Sequence, residues 1–438
     1  MNYPEALEYI DSFINYMGAG KGRRFTRSMK RLGRIAALLE AAGNPHSFFR
    51  AVLVGGTKGK GSTASFLARI LGTAGYTTGL YLSPHLVTVR ERMLINGERI
   101  SRDRFASAVT ELKPYLDTFT DRLGKTTPSY FEILTACAFL FFKNMEADIA
   151  VLEVGMGGKY DATNITDPLV SVITSIGLEH TEFLGNTPAE IASEKCGIAR
   201  RERPLITAVT GQEAMNVIEK KSAELNAPLY RLDREISAEC GETVSVSFKG
   251  RTVDGIQIPL PGTHQYRNAA AAAAAAIELD SSHTFRITDE HIRSGIQQTR
   301  ILGRIDIVSD DPVTIFDTAH TADSVRALMD TIHTGYPGKL IYGVFNISRD
   351  KDLNGIIGEF PANLVYIYTA PTGNPRNCGH TELASRLTEK GVEASSCESV
   401  SEAMKAAADR AGSSGIVLVF GSFFLTGRAY EQAGYTDE

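Results

Sequence analysis

The sequence predicts an α/β protein: a mostly parallel sheet domain with a small antiparallel insertion, then a smaller Rossmann-like α/β domain. Three observations predict it. Short apolar strands alternate with amphipathic helices along most of the chain, a glycine-rich turn joins the first strand to its helix, and a second alternating series begins after Gly303. Ala51-Val52-Leu53-Val54 is the first strand, and a helix follows over about Ser62 to Ala74 with Phe66, Leu67, Ile70 and Leu71 on one face. Thr77 to Leu82 is the next strand, and Asn96-Gly97 marks a hairpin turn. Phe131 to Phe142 is apolar nearly all round, which predicts a helix buried between layers. Asp148 to Val154 and Leu169 to Thr174 are two further core strands. Between Cys240 and Leu260 the period falls to two around Lys249-Gly250, the mark of an antiparallel insertion.

Eight consecutive alanines, Ala269 to Ala276, favour a closely packed helix. A boundary falls near Gln297 to Gly303, dividing the chain into residues 1–298 and 299–438. Beyond it, Val313 to Phe316, Lys339 to Val344, Leu364 to Tyr368 and Ile416 to Phe420 are strands, separated by helices starting near Ala322, Thr381 and Ser401. That order suits one dinucleotide-fold-like domain and by itself identifies no ligand.

Composition narrows the function classes. With 43% hydrophobic and 22% charged residues, the 438-residue chain can bury a core, which excludes wholesale disorder. A net charge of -5 argues against a nucleic-acid-backbone binder, and no apolar run reaches the roughly 18 residues of a membrane span. The five cysteines are dispersed and never form CxxC, so they read as reduced thiols without a zinc site. The expectation is a cytoplasmic, monomeric enzyme acting on small molecules, with neither membrane nor nucleic-acid partner.

The glycine-rich turn is Gly55-Gly56-Thr57-Lys58-Gly59-Lys60-Gly61-Ser62, set between strand and helix as a phosphate loop requires. Glycines let successive N–H groups point inward, the helix N-terminus adds positive potential, and Lys60 would neutralise a terminal phosphate. Gly61 intervenes where the standard pattern has Ser or Thr directly after the lysine. A lysine is present and GxGxxG is absent, so ATP is favoured over a dinucleotide, and the first domain is read as P-loop-containing.

Gly56-Thr57-Lys58-Gly59-Lys60-Gly61-Ser62 resembles the GT(N/K)GKGS loop of the folylpolyglutamate synthases and dihydrofolate synthases, within the Mur-type amide ligases. Further segments match in order: Ser83-Pro84-His85-Leu86, Tyr130-Phe131-Glu132, Glu153-Val154-Gly155-Met156-Gly157-Gly158, Asp161-Ala162-Thr163-Asn164, Glu194-Lys195-Cys196-Gly197-Ile198, His264-Gln265 with Asn268, Gly303-Arg304, Asp350-Lys351-Asp352 and Gly421-Ser422. The resemblance implies an ATP-dependent ligase that adds L-glutamate to a folate or dihydropteroate carboxylate through an acyl phosphate, releasing ADP and phosphate. A Mur-type ligase joining another amino acid to another carboxylate is the alternative. The first domain would correspond to the Mur central domain and the second to the Mur C-terminal domain.

The same resemblance implies roles for single residues. Ser83, Glu153 and His180 resemble the magnesium ligands, and a monovalent cation could accompany that ion. Glu153 ends an apolar strand, so it either projects into a site or is a solvated strand-end charge. Lys195 is carbamylated in the family; read alone it is a surface helix lysine beside Glu194. Lys60, Lys195 and His180 form the implied catalytic set. Asn268 would contact adenine, while Arg304, Asp317 and His320 would face the nucleotide from the second domain; Asp317 could equally be a helix N-cap at a βα turn. Asp317-Thr318-Ala319-His320-Thr321-Ala322 lacks the asparagine and proline usual there. Ser129, Tyr130, Phe131, Glu132, Tyr160 and Asp161 match positions flanking the pterin. Phe131 could stack on a heterocycle or belong to the core, and Glu132 could bond a pterin edge or cap its helix. Lys159 stands where the family has arginine, and the basic segment 25–31 could meet an anionic substrate tail.

Overall fold

The computed structural model describes residues 1–14, 32–123 and 127–437, so the basic segment 25–31 lies outside the described residues. The chain divides into two compact units: Met1–Pro84 with Arg90–Pro259 and Tyr266–Thr299, and His85–Val89 with Leu260–Gln265 and Arg300–Glu438.

The first unit is built on an eight-stranded sheet. Its strands are β1 (Arg50–Gly55), β2 (Thr78–Tyr81), β3 (Met93–Ile95), β4 (Glu98–Arg99), β5 (Ile149–Glu153), β6 (Pro168–Ile173), β7 (Leu205–Thr207) and β8 (Leu229–Arg231), in the order β4-β3-β2-β5-β1-β6-β7-β8. Six strands run parallel, and β3 and β4 pair antiparallel at one edge. The turn between β3 and β4 is the Asn96-Gly97 pair, both at positive φ (51° and 88°), as a two-residue hairpin of this hand requires. In β1 and β5 every residue but the first of β1 is buried, the pattern of a parallel sheet covered on both faces. The sheet order reverses around β1, which lies between β5 and β6, so a crevice opens beyond the carboxyl ends of these strands.

Two helices of this protein are buried around nearly their whole circumference over long stretches. Tyr130–Asn144 is buried from Glu132 to Phe142, as its apolar circumference demands. Thr263–Ser281 contains the alanine run, and all eight alanines are at most 1% exposed. With only methyl groups on it, this rod can be surrounded at close range. The insertion is a three-stranded antiparallel sheet, β11-β10-β9, from β9 (Ile236–Cys240), β10 (Val244–Phe248) and β11 (Arg251–Ile256). Strand β9 was not foreseen, because Ile236-Ser237-Ala238-Glu239-Cys240 contains one large apolar residue.

The second unit has a six-stranded sheet in the order β12-β13-β17-β14-β15-β16, from β12 (Asp306–Asp310), β13 (Val313–Phe316), β14 (Ile341–Phe345), β15 (Leu364–Thr369), β16 (Ala394–Ser396) and β17 (Ile416–Phe420). All pairings are parallel except that of β12 with β13. Both faces are covered. Val325, Leu328 and Leu383 pack with Ile315 and Leu418 on one side; Ala403, Ala407 and Leu425 pack with Phe316 and Val419 on the other. The edge strand β12 was also unforeseen: its two apolar residues, Ile307 and Val308, are exposed, so no alternation reveals it. Among the described residues, no helix is long and apolar enough to cross a membrane.

Candidate active site

Strand β1 delivers the chain into the glycine loop, and contacts with the end of β6 shape the turn. Gly56 has φ of +142°, and a Cβ there would stand 2.0 Å from the Thr174 hydroxyl. Gly59, at φ +83°, precedes the helix Lys60–Thr73, and a Cβ there would meet the Asn268 amide oxygen at 2.2 Å. Both positions therefore demand glycine. The Thr57 N–H donates to Ser175 O (2.7 Å), the Lys58 N–H donates to Ser175 Oγ (2.9 Å), and the Thr174 hydroxyl donates to Lys58 O (2.6 Å). This differs from the expected inward-pointing row of amides. The first two amides brace the loop, which leaves the opening turn from Lys60 to Ser62 as the part that presents N–H groups. Lys60 Nζ folds back onto Thr57 O at 3.1 Å, and Lys58 Nζ pairs with Glu179 at 2.9 Å.

Glu153 closes β5 as a buried carboxylate, so the solvated strand-end alternative does not hold. Its Oε2 accepts the Ser83 N–H at 2.8 Å, and both carboxylate oxygens lie 3.5 Å from where a Gly61 Cβ would stand. The carboxylate thus faces the positive end of the helix Lys60–Thr73, which favours negative charge. Ser83 and Glu153 are brought together. His180 is exposed, has φ of 53°, and follows Glu179, the partner of Lys58. Among the described residues, no three His, Cys, Asp or Glu side chains cluster as a metal cage. The Glu153 carboxylate oxygens are donors of the type that magnesium prefers, and Ser83 stands beside them through its backbone N–H.

Lys195 ends the helix Pro188–Lys195, whose start is fixed by a capping box between Thr187 and Glu190. It is 5% exposed, and its Nζ donates to Gly56 O at 2.8 Å. Burial, helped by the nearby Lys60 charge, pushes its pKa down to about 7. A surface lysine paired with Glu194 is thus not what the structure shows. A buried lysine with an amine neutral near physiological pH is one that can react as a nucleophile.

A second set lies beyond the end of β5. Ser129 and Glu132 form a capping box, and Glu132 uses one oxygen for the Ser129 N–H (2.7 Å) and the other for Arg34 Nε (3.2 Å). The Phe131 ring lies where a Cβ on Gly155 would meet it at 2.6 Å, so Gly155 makes room for that aromatic. Tyr130 is half-buried, and burial pushes its hydroxyl up to about 12. Asp161 is buried and accepts the N–H groups of Met156 (3.0 Å) and Thr163 (3.0 Å) and the Thr163 hydroxyl (2.6 Å). Burial raises its pKa while these donors oppose the rise. Asp161 therefore organises the Gly155–Gly158 turn. Tyr160 is half-buried, with Lys159 Nζ 5.2 Å from its ring centre.

In the second unit, Asp317 follows β13 and is also buried. Its oxygens accept the N–H groups of Ile305 (2.8 Å) and Ala319 (2.6 Å). The N-cap alternative fails, because Thr321 caps the helix Ala322–Gly335 with Ser324. Arg304 donates to Gly303 O at 3.1 Å and to the Thr318 hydroxyl, and its guanidinium lies 5.6 Å from the Phe423 ring centre. His320 bonds Thr318 O through Nδ1 at 2.7 Å, its ring 5.6 Å from that of Phe423. Arg304, Asp317 and His320 therefore form one cluster. Sequence reasoning missed Thr174, Ser175, Glu179 and Phe423, although Glu179, beside His180, and Phe423, after Ser422, each stood next to a residue already singled out.

Comparison with known proteins extends this geometry. The Mur ligase middle domain matches residues 54–276, and the Mur ligase glutamate ligase domain matches residues 303–423. The chain is 36% identical over 403 residues to a dihydrofolate synthase/folylpolyglutamate synthase of Bacillus subtilis, covering 90% of this chain and 93% of that one. Among solved structures it resembles a Mycobacterium tuberculosis folylpolyglutamate synthase complexed with ADP, with a TM-score of 0.88 at 26% identity and full coverage of both chains (100% and 100%). It also resembles the Escherichia coli FolC protein in complex with DHPP and ADP, with a TM-score of 0.83 at 30% identity, covering 97% of each chain. A glycine loop braced by β6, a buried carboxylate at its helix and a buried lysine on its backbone accord with these matches: the chain belongs to the folylpolyglutamate synthase/dihydrofolate synthase family of Mur ligases.

Proposed function

We propose that the protein is an ATP-dependent ligase joining the amino group of L-glutamate to the carboxylate of a folate or dihydropteroate, with release of ADP and phosphate. The observation that supports this most is the convergence at the carboxyl ends of β1 and β5. Lys195 bonds Gly56 of the glycine loop, and Glu153 lies against Gly61. Amide formation at neutral pH needs an activated carboxylate, and transfer of the γ-phosphoryl group to it gives an acyl phosphate that the glutamate amine attacks. Two anions must first be brought together, so the chain's task is charge neutralisation and positioning. Lys60 and the opening turn of its helix meet the phosphates. Asn268, set against Gly59, is the proposed adenine contact, and Arg304, Asp317 and His320 are proposed nucleotide contacts of the second unit. Ser83, Glu153 and His180 would hold magnesium, which when bound neutralises phosphate charge.

Phe131, Tyr130, Tyr160 and Asp161 are proposed to shape the pterin site. Glu132 and Ser129 support it from the helix cap. Carbamylation of Lys195 would replace a buried cation by an anion, and a neutral amine is the form that reacts with carbon dioxide. In this reading residues 1–298 form the phosphate-loop domain and residues 299–438 the smaller one, in a cytoplasmic monomer. The test is phosphate release with purified protein and ATP. Release that requires both L-glutamate and a pteroate or folate is the expected result. Release that requires another amino acid or carboxylate would transfer the protein to a different Mur-type reaction, and ATP binding without release would make it a nucleotide-binding scaffold.

A further inference from the structure

Arg200 lies five residues after Lys195, outside every site described above. Its guanidinium is partly buried, and its contacts are with neutral oxygens. Nη2 donates to Asn164 O (2.8 Å), Asn164 Oδ1 (2.8 Å) and Thr166 O (2.9 Å). Nη1 lies 3.3 Å from Gly197 O, 3.2 Å from Ile198 O and 3.3 Å from Ala199 O. One planar fork therefore holds two strips of backbone, 164–166 and 197–199, on its two ends. Asn164 completes the tie: it is buried, and its Nδ2 donates to Lys159 O (3.2 Å) and Gly197 O (3.0 Å).

The two strips touch without side chains between them. The Lys159 N–H donates to Glu194 O at 3.0 Å. A Cβ on Gly158 would stand 2.8 Å from Lys195 O, and one on Gly197 would stand 2.4 Å from Lys159 Cα. The first strip follows closely on Tyr160 and Asp161 in the chain, and the second follows on Lys195. Each is a loop or helix end, the kind of segment that shifts unless something fixes it. A guanidinium suits this task, since its rigid donors reach several acceptors at once and a lysine ammonium has three donors at one point.

We propose that Arg200, acting through Asn164, is a positioning residue that fixes the acceptor-substrate loop 159–164 relative to Lys195. This rests on the reading under Proposed function, because it takes Tyr160 and Asp161 as acceptor-side residues. Arg200 touches no substrate; it sets the separation at which the acceptor carboxylate meets the lysine side of the site.

The test uses the full chain. A misplacement of about 1 Å by a change outside the reacting groups can cost about 100-fold, so Arg200→Met is expected to raise KM for the pteroate or folate acceptor about tenfold and lower kcat about tenfold. KM for ATP stays within about twofold, because the glycine loop is braced separately through Thr174 and Ser175. Arg200→Lys keeps the charge and recovers less than about a third of the lost kcat/KM. Asn164→Ser, which keeps the backbone acceptor and removes the amide, gives the same split in a variant with less of the brace removed. Hydrogen exchange in unliganded Arg200→Met is expected to quicken at residues 159–166 and 196–199 and stay unchanged at residues 50–81. A fall in kcat matching a smaller folded fraction, with both KM values at the wild-type level, would overturn the proposal, as would unchanged exchange in those two strips. Wild-type protein without glutamate-dependent phosphate release on any pteroate or folate would instead remove the functional reading, and the exchange result would still judge the brace.

Discussion

The carboxyl ends of the two parallel sheets hold buried charge in opposite ways. At the first sheet, the Lys195 ammonium donates to the Gly56 carbonyl, lies near the Lys60 charge, and has a pKa pushed down to about 7 by its burial. At the second, Asp317 is as buried and burial raises its pKa, but the Arg304 charge and two backbone N–H groups on its oxygens oppose the rise. A buried charge held by several partners that oppose the effect of burial keeps a structure in place, whereas one with fewer such partners is readier to change state. The same layered architecture thus makes a reactive end and a structural end, and the difference lies in the partners given to one side chain.

The largest effect should come at the reactive end. Lys60→Ala is expected to lower glutamate-dependent phosphate release on the order of 1000-fold with the circular dichroism spectrum unchanged, because electrostatic stabilisation of transferring phosphate is lost. Normal turnover by this variant would undo the assignment of the loop. Lys195→Ala should lower activity about 100-fold, with partial return on adding a short-chain carboxylic acid and none on raising bicarbonate. Wild-type turnover would show that the buried amine is idle.

The pH dependence of that lysine sharpens the comparison. Its pKa in the folded state is lowered, so the side chain is charged below about 7 and neutral above it. Carbamate formation needs the neutral amine, so bicarbonate-dependent activation should increase between about pH 6 and 8 and level off above. The linked effect on stability has the same sign. The unfolded lysine binds the proton more strongly, so folding gains stability as pH rises from about 7 towards the ordinary lysine value, and Lys195→Met should lack that gain in urea titrations. Activation that falls over this range would contradict the burial argument.

At the structural end the expectation is a stability change. Asp317→Asn replaces one accepting oxygen by an amide NH2 facing a backbone N–H, which should cost about 1–3 kcal/mol in urea unfolding. No loss would mean that the Ile305 and Ala319 amides find other acceptors. The smallest effect is expected for Lys58→Ala. Its ion pair with Glu179 involves a lysine side chain that is 41% exposed, so solvent screening limits the loss to about 0–1 kcal/mol.

The first sheet was largely legible because its signals are local. The apolar strand, the glycine loop and the amphipathic helix after it follow one another over residues 51–74, and the unusual Glu153 stood at the end of an apolar strand. The mode of bracing was not legible, since Thr174 and Ser175 lie more than a hundred residues downstream and bind through ordinary hydroxyls. Asp317 shows the same limit. A carboxylate at a βα turn suggests a cap, yet its partner is the Ile305 amide, twelve residues upstream across the unforeseen strand β12. Arg200 opens the basic run Arg200-Arg201-Glu202-Arg203, and only the folded chain separates it from its exposed neighbours.

The alanine rod has an energetic corollary. Eight successive residues there have no side-chain rotamers to freeze, so ordering this segment forfeits almost nothing beyond the backbone. Directly before it stands Asn268, whose amide oxygen crowds Gly59. A lengthened side chain along the rod would have to be accommodated by buried surroundings that now meet only methyl groups. The tract therefore combines close packing with a low ordering cost, and both depend on its having no features.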